Sequence, residues 1–203
     1  MLTSAALAAA AAGLLFSLSL IVAIGPQNTY VLRVGLQRHR VLTVVTLCAL
    51  SDAVLIAVGV AGAGTAMEGR PWVLRAVRIC GALFLLGYGA RAARRVLHPG
   101  AADAGSAAAL TSVVGTALAF TWLNPGVYLD TLVLLGSVAN SRPGYQWWFG
   151  GGAALASSLW FAGLGYGSRL LTPLFTRRRA WQALDGFVAV VMVLTGLRLL
   201  LGR

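Results

Sequence analysis

The 203-residue chain contains no lysine and only five acidic residues: Asp52, Glu68, Asp103, Asp130 and Asp185. Charged side chains make up 10% of the total against 59% hydrophobic, far from the roughly 25% charge of ordinary soluble domains. A water-soluble globule is excluded, and a mean hydropathy of +0.82 calls for a lipid solvent. Cysteine and histidine are equally scarce, with two of each. Cys48 and Cys80 fall inside apolar runs without a CxxC spacing or a neighbouring histidine, so neither a disulfide framework nor a metal cage is expected. They read as small packing residues. His39 and His98 lie between apolar runs, leaving no intramembrane histidine for a proton relay or a serine hydrolase. There is no Walker sequence and no room for a soluble domain to carry one, so no nucleotide or other cofactor is expected.

Arginine, by contrast, is abundant: all sixteen basic residues are arginine, and the net charge is +11. In a soluble chain this would point to nucleic acid. Here the arginines separate apolar runs instead of forming a basic face interleaved with aromatics, so the partner they imply is a bilayer with anionic headgroups, not nucleic acid. Six apolar segments lie at about 5–25, 41–64, 72–90, 110–138, 146–170 and 181–201. Crossing a hydrocarbon core takes roughly 20 helical residues. Each segment reads as helix, because backbone groups facing lipid must bond within their own segment and no alternating strand pattern is present. Trp72, Trp147, Trp148 and Trp181 stand at segment starts, where an amphipathic ring suits the headgroup level. Small residues at helical spacing, Ala49, Ala53 and Ala57 or Ala154, Ser158 and Ala162, allow close helix packing.

The expected fold is therefore an all-α integral membrane protein of six transmembrane helices, forming one transmembrane domain over 1–203. The first segment lacks a basic leader and runs past signal-peptide length, so it is expected to be a membrane helix rather than a cleaved signal. Loops after the first, third and fifth segments hold ten arginines against six on the opposite side, which favours both termini outside. Taking the first segment as a half-span instead leaves five crossings and an inside N-terminus.

Residues 96–109 are the one stretch of linker character, and they divide the chain into candidate repeats at 1–95 and 110–203. The first segment of each half is broken at a proline beside asparagine: Gly25-Pro26-Gln27-Asn28 and Asn124-Pro125-Gly126, with Pro26 and Pro125 99 residues apart. Three segments per repeat makes the halves inverted in the membrane. Proline removes a backbone hydrogen bond and turns the preceding residue from helix, so Gly25-Pro26 and Asn124-Pro125 mark breaks in the first and fourth helices. A half-helix starting there directs N–H groups into the membrane, an environment that attracts an anion such as an α-carboxylate.

Asp52 lies near the middle of its segment and Asp130 about one turn past the second break. A carboxylate at the bilayer centre costs about 3 kcal/mol or more, so it calls for a partner or a role. An acid so placed can exchange a proton for a cationic substrate; the alternative is a structural pair with an arginine such as Arg33 or Arg75. Polar residues near these acids are Gln27, Asn28, Ser51, Asn124 and Tyr128. Asp185, one turn after Trp181, reads only as a complement to its helix dipole. Arg75 and Arg78 are expected to snorkel to the interface.

The blocks GPQNTYVLRVGLQRHR at 25–40, CALSDAVLIAVGVAG at 48–62, LFLLGYGARAARR at 83–95 and LNPGVYLDTLVLLGSVA at 123–139 resemble the signature blocks of the lysine/arginine exporter family, in order over nearly the whole chain. The resemblance implies a multi-pass protein of the bacterial inner membrane that exports L-arginine, L-lysine or both, and is not an enzyme. Carried over by motif, the functional positions are Gly25, Pro26, Gln27, Asn28, Ser51, Asp52, Asn124, Pro125, Tyr128 and Asp130. Gly126 departs from the family pattern NPHVYLD and removes one polar contact. Exporters of neutral amino acids such as homoserine or threonine share the wider fold and give the nearest alternative. Without a motif for ATP, coupling to an ion gradient is expected, most simply proton entry against substrate exit. The sequence leaves room for a homo-oligomer.

Overall fold

Composition makes the chain helical, and proline decides where the helices stop. The computed structural model describes residues 2–23, 25–62, 71–97, 110–176 and 178–201, and no strand occurs among them. α1 (Leu2–Ile21) is the alanine-rich N-terminal run. α2 (Pro26–Gln37) begins with Pro26 in its first turn, where the missing N–H sacrifices no helical bond. A tight turn with Arg38 and Arg40 in the left-handed region, φ 55° and 57°, leads to α3 (Val41–Val60). α4 (Pro71–Leu97) follows. α5 (Leu110–Trp122) stops at the second break, and α6 (Pro125–Asn140) leaves it at a bend of 54°. The middle of α6, Leu129–Leu135, is wound as a π-helix. α7 (Gln146–Gly167), a 3₁₀ segment (Ser168–Thr176) and α8 (Arg178–Leu201) complete the described chain.

Side chains are distributed for a lipid solvent. Leu7, Leu15, Leu42, Leu50, Leu159 and Leu194 are exposed, whereas Gln27, Asn28, Ser51, Asp52, Ser157 and Asp185 are buried. An exterior this apolar is incompatible with water. By length and apolarity α1, α3, α4 and α8 qualify as membrane spans, and the bent pair α5–α6 makes a fifth. The expected count of six is not reached on that measure because α7, although 22 residues long, carries six glycines and two serines that lower its hydropathy. α2, at twelve residues, is about 18 Å long and too short to cross. Nine of those twelve residues are buried, so it is a half-helix enclosed by the bundle. The segment expected at 72–90 is longer, running to Leu97. Residues 98–109, which include most of the expected linker as well as His98 and Asp103, lie outside the described residues, as does Glu68.

The glycines that cost α7 hydropathy give it contact. A Cβ on Gly152 would lie 1.9 Å from the Ala10 carbonyl oxygen, and one on Gly13 would lie 1.9 Å from that of Phe149, so α1 and α7 cross with their backbones touching. α7 also packs on α3, and α4 packs along α8. The main core gathers Val44, Cys48, Phe120, Phe161, Val188 and Met192, all nearly inaccessible. A smaller cluster of Ile56, Val60, Leu135 and Phe149 closes the other end of α3. Cys48 is thus a packing residue, and both cysteines are free. Replacing Gly152 by valine should force the α1–α7 crossing apart and destabilise the protein by about 1–3 kcal/mol or more. Gly151→Val, at a position with nothing within 4 Å, should be neutral; thermal unfolding of the two variants in detergent measures the difference.

Candidate functional site

Each break releases carbonyl groups at the end of the preceding helix, and a buried group of that kind must find a donor. At the first break the donor is Asn28. Its Nδ2 reaches back to the carbonyl oxygens of Ile21 at 2.7 Å and Ala23 at 2.9 Å, while its Oδ1 accepts from the Trp160 indole of α7 at 3.2 Å. Thr29 Oγ1 also bonds the Gly25 carbonyl, at 2.8 Å. At the second break the donor is Tyr128, whose hydroxyl bonds the Trp122 carbonyl at 2.7 Å. The Trp122 indole in turn donates to Ser51 Oγ at 3.2 Å. Asn124 caps α6 by accepting from the Gly126 N–H at 3.0 Å. A side chain at Gly126 would bring its Cβ within 3.2 Å of that Asn124 oxygen. Gly25 precedes α2 in an extended conformation and offers no side-chain cap. Of the residues read from sequence as substrate contacts, Asn28, Ser51, Asn124 and Tyr128 are therefore engaged in holding the two breaks.

Three others remain available. Gln27, Asp52 and Asp130 line one cavity of about 70 Å³, together with Ser17, Leu20 and Ile21 of α1, Ile56 of α3, and Val127, Thr131 and Leu135 of α6. Asp52 is buried on α3, one turn from Cys48. One of its carboxylate oxygens accepts from Ser157 Oγ of α7 at 2.7 Å. Its other oxygen, Oδ1, is buried with no hydrogen bond, and so is Gln27 Nε2. Gln27 lies beside the Asp52 carboxylate and Cys48, so an amide and an acid meet at the cavity with neither closely hydrogen-bonded at those two atoms. Asp130 is part-buried on the π-wound stretch of α6 and has no hydrogen bond or ion pair among the described residues. Such π-turns recur at functional sites, where helical register gives way to side-chain placement. The arginine partner considered for Asp52 and Asp130 is absent among the described residues, since Arg33 is engaged elsewhere and Arg75 is exposed. No group of three metal-ligating side chains occurs among the described residues.

A model of the LysE-type translocators matches residues 18–203. The chain belongs to the LysE-type translocator family. Among relatives, a Mycobacterium bovis protein named, provisionally, as an amino-acid transporter is 45% identical over 179 residues, 87% of this chain and 89% of its own. A lysine exporter of Corynebacterium diphtheriae is 34% identical over 95% of this chain and 98% of its own. An arginine exporter of Salmonella schwarzengrund is 37% identical over 92% and 90% respectively. No solved structure gives a significant match.

In this translocator Asp185 is more than the helix-dipole complement that its position suggests. It is buried at 6% exposure, and its Oδ1 accepts from both Arg33 Nη1 of α2 and, at 3.0 Å, Arg95 Nε of α4. Its partners lie 152 and 90 residues away, so nothing local marks it. An acid inside an apolar segment with unassigned arginines elsewhere was the available signal. For Asn28 the geometry makes a separate statement. Asn28→Asp keeps the size but cannot donate to the Ile21 and Ala23 carbonyls, and should lose about 2–3 kcal/mol of stability. Thermal unfolding should drop further for Asn28→Asp than for Ser51→Ala, which removes a single indole contact.

Proposed function

We propose that the protein exports basic L-amino acids, arginine or lysine or both, from the bacterial cytoplasm across the inner membrane, in exchange for protons. The observation that carries this reading is the cavity that brings Gln27, Asp52 and Asp130 together, where Asp52 Oδ1 and Gln27 Nε2 make no close hydrogen bond and Asp130 has no partner among the described residues. A zwitterion with a cationic side chain supplies what is missing on both sides, an ammonium or guanidinium for the acids and a carboxylate for the amide. The start of α2 is the better seat for the α-carboxylate, because Asn124 already occupies the start of α6 while no side chain caps α2. Names of relatives, a lysine exporter and an arginine exporter, support the same substrate class.

Energetics favour coupling. A cell interior negative by 100 mV holds back an outgoing monovalent cation by about 2.3 kcal/mol, before any concentration gradient. Asp130, with Asp52, holds the cation when ionised and takes a proton from outside for the return step; two carboxylates without arginine partners have no other counter-charge in the cavity. The two halves rock as inverted repeats about this point. Packing supports that arrangement: α3 lies on α7 and α4 on α8, while α2 lies against α7 as α6 lies against α3. Under this scheme α7 is the sixth membrane helix, shielded on one side by α1 and α3.

Efflux of labelled arginine, lysine and threonine from preloaded proteoliposomes, with and without an inward proton gradient, tests the proposal. Arginine or lysine efflux should quicken with the gradient, and Asp130→Asn should slow it at least tenfold, equivalent to about 1.4 kcal/mol. Efflux of threonine with neither arginine nor lysine would transfer the protein to the neutral amino-acid exporters. Normal export by Asp130→Asn would remove that acid from the mechanism.

A further inference from the structure

α2 carries three side chains at intervals of one turn: Gln27 in the cavity, Tyr30 and Arg33. Tyr30 is buried against Tyr88 and Phe120, with ring centroids 6.2 and 5.0 Å away, and its hydroxyl bonds the Val113 carbonyl at 3.3 Å. Arg33, about 9 Å along the axis from Gln27, ends the row on Asp185. The same helix therefore forms a wall of the cavity, a plug beside it, and an ion pair towards the end that leads into the turn bearing Arg38 and Arg40.

What α2 is fastened to differs on its two sides. Towards α7 and the 3₁₀ segment it is nearly fused: a Cβ on Gly35 would fall 2.0 Å from Ser168 Oγ and 2.2 Å from the Gly165 carbonyl. Towards α4 and α8 it has few backbone contacts, and that pair packs far more with itself than with the rest of the bundle. The Arg33–Asp185 ion pair and the Tyr30–Tyr88 ring contact tie α2 to that pair, which is attached elsewhere by the close approach of Gly81 to the Leu123 carbonyl and by the Trp181 indole on the Phe175 carbonyl.

Opening a buried ion pair is ordinarily prohibitive, because a charge is left behind without a partner. Asp185 has a second arginine. Arg95 sits on the α4–α8 pair with Asp185 and touches only the oxygen that Arg33 also uses, through Nε. Its neighbouring Nη2 is buried without any acceptor. An Nε–Nη2 fork is the geometry that grips both oxygens of a carboxylate. Arg95 is thus placed to close on Asp185 when Arg33 leaves.

We propose that Arg33–Asp185 is the latch that keeps α2 on the α4–α8 pair and seals the cavity from the end bearing Arg38 and Arg40, with Arg95 as the standby counter-ion that lets the latch open. All three are positioning residues. Opening swings α2 and carries Gln27 and Tyr30 away from Tyr88 and Phe120. The inference rests on the transport reading for its purpose, but its test requires no substrate.

Cys48 is the reporter. It is 1% exposed, lies beside Gln27, Asp52 and Tyr30 behind the plug, and becomes the single cysteine after Cys80→Ser. In vesicles of that protein, the rate of Cys48 modification by a small water-soluble methanethiosulfonate measures opening. Arg33→Gln and Asp185→Asn should raise the rate tenfold or more. Arg95→Gln should lower it several-fold below the parent, because departure of Arg33 would then strand Asp185. A purely structural triad would give the same sign for all three, so acceleration by Arg95→Gln overturns the proposal, as does an unchanged rate in Arg33→Gln. Should Asp185→Asn fail to fold, the opposed signs of the two arginine variants decide alone. Loss of arginine efflux with these labelling rates intact would count against the transport reading and leave the latch standing.

Discussion

A helix broken inside a membrane exposes carbonyl groups that no water reaches, and the centre of this translocator depends on how those groups are satisfied. Two prolines create the problem and two different side chains resolve it. An amide at Asn28 bridges back over the first gap to Ile21 and Ala23. A phenol at Tyr128 bridges the second to Trp122. Each break is then tied into the bundle by an indole: Trp160 of α7 donates to Asn28, and Trp122, at the end of α5 itself, donates to Ser51 of α3. Only because those polar groups are occupied with structure does the remainder, Gln27, Asp52 and Asp130, stand free in the cavity.

The acids form a graded series. Asp185 has two arginines, Asp52 has a serine on one oxygen and the Gln27 amide beside it, and Asp130 has no partner among the described residues. In a low-dielectric interior an unmet charge is expensive, so the degree of pairing ranks how readily each group accepts something from outside. The fully paired acid belongs to the scaffold, and the two incompletely paired ones share the cavity. The same rule explains why the scarce negative charge, rather than the abundant arginine, leads to the site.

How much of this was legible in the sequence depends on range. The breaks at Pro26 and Pro125 were readable because proline acts on its own turn and the residue before it. Asp52 and Asp130 were readable because the cost of a carboxylate in an apolar segment is independent of its neighbours. Asn28 was singled out, but its work was not, since its acceptors become adjacent only when the chain doubles back across the gap. Asp185 was set aside because its local position, one turn from an interfacial tryptophan, has an innocuous explanation and its arginines arrive from α2 and α4. α7 falls below the hydropathy of a membrane span for a related reason. Glycine and serine lower the score of a helix while permitting the backbone contact that makes it central.

That contact also bears on which part of the molecule is rigid. α1, α3 and α7 meet with glycines at the crossings, and close-packed backbones leave little freedom for sliding. α2 is bound to this group by Gly35 against Gly165 and Ser168. The α4–α8 pair has its own glycines at close approach, Gly89 beside Met192 and Val193 and Gly196 beside Leu86, and is a second rigid unit. α2 meets that pair through the Tyr30–Tyr88 ring contact and one ion pair, a lighter joint than the glycine crossings. Gln27 and Arg33 lie on the same short helix, so a movement of α2 at that joint would also move one wall of the cavity. The brevity of α2 is what makes this possible: a full membrane span would be anchored at both interfaces, whereas a buried half-helix is held only by what it touches.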